Sequence, residues 1–270
     1  MIIQIAAETD PGIARENNED AIAFDEVAGL CILADGMGGH NAGQVASGMA
    51  AAFIESEMRT WLSGRDGVLV RGELEAQLAS CITMANEAIF NMSQSNRQYG
   101  GMGTTLVVGV FSGDSLLLAH LGDSRCYRLR AGALEQITKD HSVRQEQIDS
   151  GLVIPEGGMP TQNLITQALG VDGVVNPEMN WHEIARDDVY LFCSDGLTDM
   201  IDDAAIAAIL AAGKLQTRPQ LLVGAANAAG GTDNISVLLA KVRERRINKL
   251  FSSARGAING VWKGRRRTDR

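Results

Sequence analysis

An α+β layered architecture is what this sequence predicts, and three observations carry the prediction. Apolar runs with strand character and amphipathic runs with helix character come in segregated blocks: strands, two helices, strands, two helices, then a last strand. No internal repeat and no linker-like segment divides the chain. Its 270 residues, 45% hydrophobic and 21% charged, are enough to bury a sizeable core.

Taken in order, Ile2 to Ala6, Ala21 to Val27 and Leu30 to Ala34 are short apolar runs closed by turn residues or acids, and read as strands. Val45, Met49, Ala52 and Phe53, with Trp61 further on, then set a helical repeat. Leu74, Leu78, Ile82, Ala85 and Ile89 set a second, from about Glu73 to Met92. Thr104 to Phe111, Ser115 to Leu121, Arg125 to Arg130 and Leu134 to Thr138 follow, separated by Gly113-Asp114 and Ala131-Gly132, as an antiparallel meander. From Lys139 to about Asn176 a short helix, Ser142 to Ser150, is followed by Pro155, Gly157, Gly158 and Pro160, an irregular surface segment of the kind that is often functional. Strands return at Met179 to Ile184 and Val189 to Cys193. Ala-rich helices at Ala204 to Ala212 and Pro219 to Ala228 and a strand at Ile235 to Val242 complete the pattern.

Charge divides the chain. The net charge is -9, but the stretch from Arg243 to Arg270 carries ten Arg or Lys against two acids, a net +8, which leaves -17 on residues 1–242. An acidic body argues against a nucleic-acid-coating surface. The expected organisation is therefore one compact domain over 1–242, with the irregular segment at about 139–176, and a basic amphipathic tail over 243–270. Cys31, Cys81, Cys126 and Cys193 are far apart in apolar or amphipathic runs with no C-x-x-C pair, which fits reduced, buried thiols and a reducing cytosol. The N-terminus has no basic n-region and meets Glu8 and Asp10 early, so no signal peptide is expected. No window reaches the roughly 18–20 apolar residues of a membrane span.

The chemistry is carried by acids placed where strands end in Gly-rich turns. These are Asp20 after Asn17-Asn18-Glu19, Asp35 in Asp35-Gly36-Met37-Gly38-Gly39-His40, Asp123 in Gly122-Asp123-Ser124-Arg125, Asp195 and Asp199 in Ser194-Asp195-Gly196-Leu197-Thr198-Asp199, and Asp233 in Gly230-Gly231-Thr232-Asp233-Asn234. Each alone reads as a turn or a helix cap. Together they predict convergence, because neighbouring strand ends meet in space and gathered carboxylates repel unless a cation lies between them. Oxygen donors without a His or Cys cluster favour Mg2+ or Mn2+.

In their order and spacing these motifs resemble the metal-dependent PP2C (PPM) protein phosphatases, specifically the compact bacterial Ser/Thr enzymes. The resemblance runs from about Thr9 to Val242 and includes Asp10 to Asp20 (D-x-G-x-x-R-x-x-N-E-D), Gly100 to Leu106, and the G-G-x-D-N-I-S-V segment. It implies a four-layer α-β-β-α sandwich with a binuclear metal site at one end between two antiparallel sheets. It implies Asp35 as the bridging carboxylate, with the Gly36 carbonyl, Asp195 and Asp233 as ligands and Glu19 a ligand directly or through water. Asp123 is implied as the ligand of a third, weaker ion shared with Asp195, and Asp20 as an acceptor beside the metal-bound water. Water activated by two Mn2+ or Mg2+ ions would attack phosphoserine or phosphothreonine, with Arg15 as the phosphate clamp.

Three positions leave the implied pattern open. His40 is either a general acid or a helix-start residue, because in eukaryotic relatives the acid-like histidine directly follows the Asp-Gly pair, where this chain has Met37. Asp199 is either a residue supporting the metal ligands or the N-cap of the Ala-rich helix that follows, and its place before that helix favours the cap. In the segment 139–176, which the resemblance identifies as the family's flap, Met159, Gln162 and Gln167 stand where many bacterial relatives have one histidine and two arginines, around an Asn163 that matches them, which bears on phosphopeptide preference.

From Arg246 on, Ile247, Leu250, Phe251, Ala254, Ile258, Val261 and Trp262 form a helical stripe with basic flanks, suited to an anionic membrane face, an acidic partner or the chain's own body. The resemblance implies phosphorylated proteins and a cognate Ser/Thr kinase as partners, in cell-wall control or type VI secretion. A non-catalytic scaffold is the rival reading, against which the intact Asp35, Asp195 and Asp233 set stands.

Overall fold

The protein is described by a computed structural model covering residues 1–39, 42–63, 65, 69–151 and 164–244. Its strands are β1 (Ile2–Asp10), β2 (Asp20–Asp25), β3 (Leu30–Met37), β4 (Gly103–Thr104), β5 (Leu106–Ser112), β6 (Ser115–Leu121), β7 (Arg125–Arg130), β8 (Ala133–Gln136), β9 (Glu178–Glu183), β10 (Val189–Cys193) and β11 (Ile235–Arg243). The helices are α1 (Ala42–Ser63), α2 (Arg71–Ser95), α3 (Val143–Asp149), α4 (Asp195–Thr198), α5 (Asp203–Ala211) and α6 (Arg218–Ala228).

Two antiparallel sheets form. One runs β1-β11-β10-β7-β8; the other runs β2-β3-β5-β6-β9, with β4 also paired to β3. Strand periodicity distributes each apolar run between two cores. On β3, Cys31 and Leu33 join Val107, Leu116, Leu118, Cys126, Phe192 and Leu238 between the sheets. The alternate residues Leu30, Ile32 and Ala34 pack outward against Ile54, Met58, Leu74, Leu78 and Ile82 of α1 and α2. The outer face of the other sheet meets Ile206 and Leu210 of α5 and Leu222, Val223 and Ala226 of α6. The result is the expected four-layer α-β-β-α sandwich. With both faces covered, the central strands read as unbroken apolar runs rather than as an alternating pattern.

Three local expectations are corrected. The α1 stripe was expected on Val45, Met49, Ala52 and Phe53. Instead Ala42, Ala46, Ser47, Ala50, Ala51, Ile54 and Met58 are buried, Ala52 is exposed, and the larger side chains flank the core. Small residues let the helix lie close on the sheet, so side-chain size misplaces the buried face. Asp199 does not cap α5: Asp202 does, its carboxylate accepting the Ala205 N–H at 2.8 Å, while Asp199 ends α4. The segment 139–176 is not surface throughout, since Leu169 is fully buried in the helix-side core and exchanges backbone hydrogen bonds with Thr104. Asn86 of α2 holds that return, accepting from Gly170 N–H at 2.7 Å and donating to the Asp172 carbonyl at 2.9 Å. All four cysteines are buried and unpaired.

Candidate metal centre

Register brings the acids together. The β2–β3 pairing places Asp20 directly opposite Asp35. Asp195 follows β10, Asp233 precedes β11, and Asp123 lies in the turn between β6 and β7, so five strand ends deliver carboxylates to one end of the sandwich. Their mutual repulsion records the convergence. Burial, then the charges of Asp20, Asp195 and Asp123, hold Asp35 well above the usual carboxylate range. Asp195 is pushed up to about 7 by burial, followed by Asp123, Asp199, Asp233 and Asp20. Burial, with Asp140 next, raises Asp123 to about 6. Asp20 is also raised, burial outweighing hydrogen bonds from the Ser236 and Ser194 hydroxyls. Glu19 rises through burial, an effect that Arg15 opposes and Asp233 reinforces.

Asp20 Oδ1 and Asp123 Oδ1 are buried without a hydrogen-bond partner. A buried carboxylate oxygen left bare is costly. Hard oxygen donors of this kind suit a divalent cation of the Mg2+ or Mn2+ type, so the residues present fit the expected metal. Gly36 is fixed by packing: its N–H donates to the Glu19 carbonyl at 3.1 Å, and a Cβ there would overlap the Gly43 carbonyl of α1.

Arg15 is exposed and reaches the site, its Nη2 donating to Asp233 Oδ2 at 2.8 Å rather than pairing with Glu16 or Glu19. Beside Asp123, Arg125 is locked bidentate onto Asp140 at 2.6 to 3.0 Å, and a small depression is lined by Asp123, Asp140, Arg144, Asp195 and Asp199. Gln167 is exposed and lines a different depression with Leu121, Asp172 and Val174. His40, Met159, Gln162 and Asn163 lie outside the described residues, as does the chain from 245 on.

Away from these strand-end acids, ligating atoms of His120, His141 and Glu178 lie within 4.8 Å of one another. Hydrogen bonding argues against a metal there. His141 Nδ1 faces the Gly122 N–H at 3.3 Å and can only accept, so Nε2 carries the ring proton. The two rings also stack, their planes 20° apart.

The supporting polar residues were not legible as such. Ser194 Oγ donates to Asp20 Oδ2 at 2.9 Å, and Ser47 Oγ donates to the Glu19 carbonyl at 2.5 Å. Asn234 bonds to Pro11, Asn17 and Glu19. Asn234 stands beside Asp233 within the G-G-x-D-N-I-S-V segment, a signal that marks its position but not the three backbone groups it holds.

Residues 13–217 match the protein phosphatase 2C family profile. The serine/threonine protein phosphatase PstP of Mycobacterium tuberculosis is 37% identical over 262 residues; the match covers 96% of this chain but 49% of that protein, so the chain spans about half the length of this relative. The serine/threonine phosphatase stp of Listeria innocua is 35% identical over 239 residues, covering 86% of this chain and 93% of that one. Among solved structures, the PstP catalytic domain in complex with two manganese ions superposes with a TM-score of 0.79 at 36% identity over 90% of this chain and 99% of that one. PppA, a regulatory component of type VI secretion in Pseudomonas aeruginosa, gives 0.79 at 29% identity, with coverages of 90% and 99%. A profile match along most of the sequence, joined to relatives above one-third identity, leads to one assignment: the chain belongs to the protein phosphatase 2C family.

Proposed function

We propose that this chain is a metal-dependent phosphoprotein phosphatase acting on phosphoserine and phosphothreonine. The observation that carries the reading is the meeting of Asp20, Asp35, Asp123, Asp195 and Asp233 at one end of the sandwich, with bare buried oxygens on two of them and the Arg15 guanidinium at the rim.

Asp35, the Gly36 carbonyl, Asp195, Asp233 and Glu19 are the donors for two ions, as PstP binds two manganese ions, and Asp123 with Asp195 is the donor pair for a third. When bound, such ions acidify water and neutralise phosphoryl charge. The chain's own residues supply the rest. Arg15 presents a planar fork of donors to two phosphoryl oxygens. Asp20, fixed through Oδ2 by Ser194, offers Oδ1 as a hydrogen-bond acceptor to water in the site. Cys193 is fully buried and burial pushes its thiol up, which makes it a poor nucleophile and leaves it a packing residue in this reading.

The substrates are phosphorylated proteins and the opposing activity is a Ser/Thr kinase. A type VI secretion setting draws support from the PppA likeness, at lower identity than PstP. The basic stretch 243–270, whose first residue Arg243 still belongs to β11, is proposed as an attachment separable from the body beyond that strand. The deciding experiment is Mn2+-dependent hydrolysis of a phosphothreonine peptide. Turnover is expected from the intact chain, with Asp35→Asn and Asp233→Asn each lowering it by more than about 100-fold. An intact, Mn2+-loaded protein that releases no phosphate overturns the reading.

A further inference from the structure

Asn234 ligates nothing in the proposed metal set, yet its amide is fully committed. Nδ2 donates to the Pro11 and Asn17 carbonyls, each at 2.9 Å, and Oδ1 accepts the Glu19 N–H at 2.8 Å. Its own backbone N–H donates to Asp233 Oδ1 at 2.8 Å, and the residue is 6% exposed. The three backbone groups it holds bracket Arg15. Residues 11–19 belong to no strand or helix, so no ladder fixes their shape. Two further anchors reach the same turn, Ile13 and Ala14 N–H both donating to the Gly231 carbonyl, at 2.8 and 3.1 Å, while Gly12, Asn18 and Glu19 also bond to β1, β3 and α1. Gly12, at φ +77°, lies so close on the Asp233 carbonyl that a Cβ would overlap it. The Arg15 loop is thus built on the turn that presents Asp233.

Resting on the phosphatase reading above, we propose that Asn234 is a positioning residue for substrate phosphate. It fastens the Arg15 loop to the Asp233 turn, so that the guanidinium stands over the metal-ligand carboxylate when the phosphoryl group arrives. Only a side chain with two donors and one acceptor at this reach satisfies Pro11, Asn17 and Glu19 together. Serine is too short, and aspartate keeps the Glu19 bond but loses both donated ones. Misplacing a binding group by about 1 Å costs on the order of tenfold or more.

The test is a double-mutant cycle on the full chain with Mn2+ present: Asn234→Ser and Asn234→Asp, each with and without Arg15→Ala. Calorimetric titration with inorganic phosphate, KM and kcat on a phosphothreonine peptide, Mn2+ affinity and thermal melting are read for each. The expected result is phosphate affinity about tenfold weaker and KM about tenfold higher in the Asn234 variants. kcat changes less than about threefold, and no further loss occurs once Arg15 is alanine. Unchanged phosphate affinity, or an equal loss with and without Arg15, overturns the proposal and leaves Asn234 a packing residue that only lowers the melting temperature. Asn234→Asp, similar in size, covers the case in which serine unfolds the turn; its charge repels phosphate in both backgrounds, so for this variant the expected result is a larger loss with Arg15 than without it. Phosphate binding without peptide turnover in the wild type defeats the phosphatase reading while the phosphate arm still decides Asn234. A wild type that binds no phosphate defeats both.

Discussion

Asp202 accepts the Ala205 N–H and stands immediately before α5, whereas Asp199, three residues earlier, ends α4 and faces the acidic cluster. The same residue type serves as a cap in one place and as part of the electrostatics of the site in the other. Asp202→Ala is therefore expected to lower stability by about 1 kcal/mol, seen as a lower urea midpoint with an unchanged slope. Asp199→Ala removes no cap bond and relieves repulsion on Asp195, so the metal-free protein is expected to melt no lower than wild type. A second residue-scale pair is Arg130 and Asp188, joined at 2.6 and 2.8 Å, with Asp188 also accepting the Ala185 N–H at 2.7 Å. Asp188 is 1% exposed. Arg130→Ala is expected to cost about 2 kcal/mol, the scale of charge-assisted bonds, in the same denaturant measurement.

At the scale of elements, α1 carries the most function for its composition. Its N-terminal turn rests on the end of β3: a Cβ on Gly43 would stand 2.7 Å from the Gly36 carbonyl carbon and overlap the Glu19 carboxylate. Ser47, one turn later, bonds the Glu19 carbonyl. Gly43→Ala must displace either the helix or the Gly36 and Glu19 donors. Mn2+ affinity is expected to fall by about 10–100-fold, measured by calorimetry. Gly48 of the same helix meets nothing within 4 Å. Gly48→Ala is expected to raise stability by about 0.5–1 kcal/mol and leave Mn2+ affinity unchanged, which separates helix propensity from site geometry. Ala46 and Ala50 on the buried face explain why the helix was recognisable by period but not by orientation. The closest contacts belong to residues too small to dominate a hydrophobic pattern.

Over the whole molecule, two sheets press their strand ends into a shared acidic rim, and the metal-free fold bears that repulsion. A ligand bound at about 100 times its dissociation constant adds about 2.7 kcal/mol of stability. For a chain of this size that corresponds to roughly 5–10 °C in melting temperature. Mn2+ is expected to raise the melting temperature by at least that amount, EDTA to reverse it, and Asp35→Asn to abolish most of it, as read by differential scanning fluorimetry. Among the described residues no helix is long and apolar enough to cross a membrane.

The set of elements and the set of acids are legible in the amino-acid sequence. Ser115–Leu121, Arg125–Arg130 and Val189–Cys193 have the ends their apolar runs dictate, and Asp20, Asp35, Asp123, Asp195 and Asp233 stand out because each lies at an end of such a run, the last four in glycine-containing turns. Local patterning suffices there, since burial alternation and turn chemistry act over a few residues. Tertiary structure alone decided that Asp20 lies opposite Asp35, that Arg15 meets Asp233 across 218 positions, and that Asn234 spends its amide on Pro11, Asn17 and Glu19. These are pairings between distant segments, and sheet register and the close approach of glycine backbones select them. Neither leaves a period in the sequence to read.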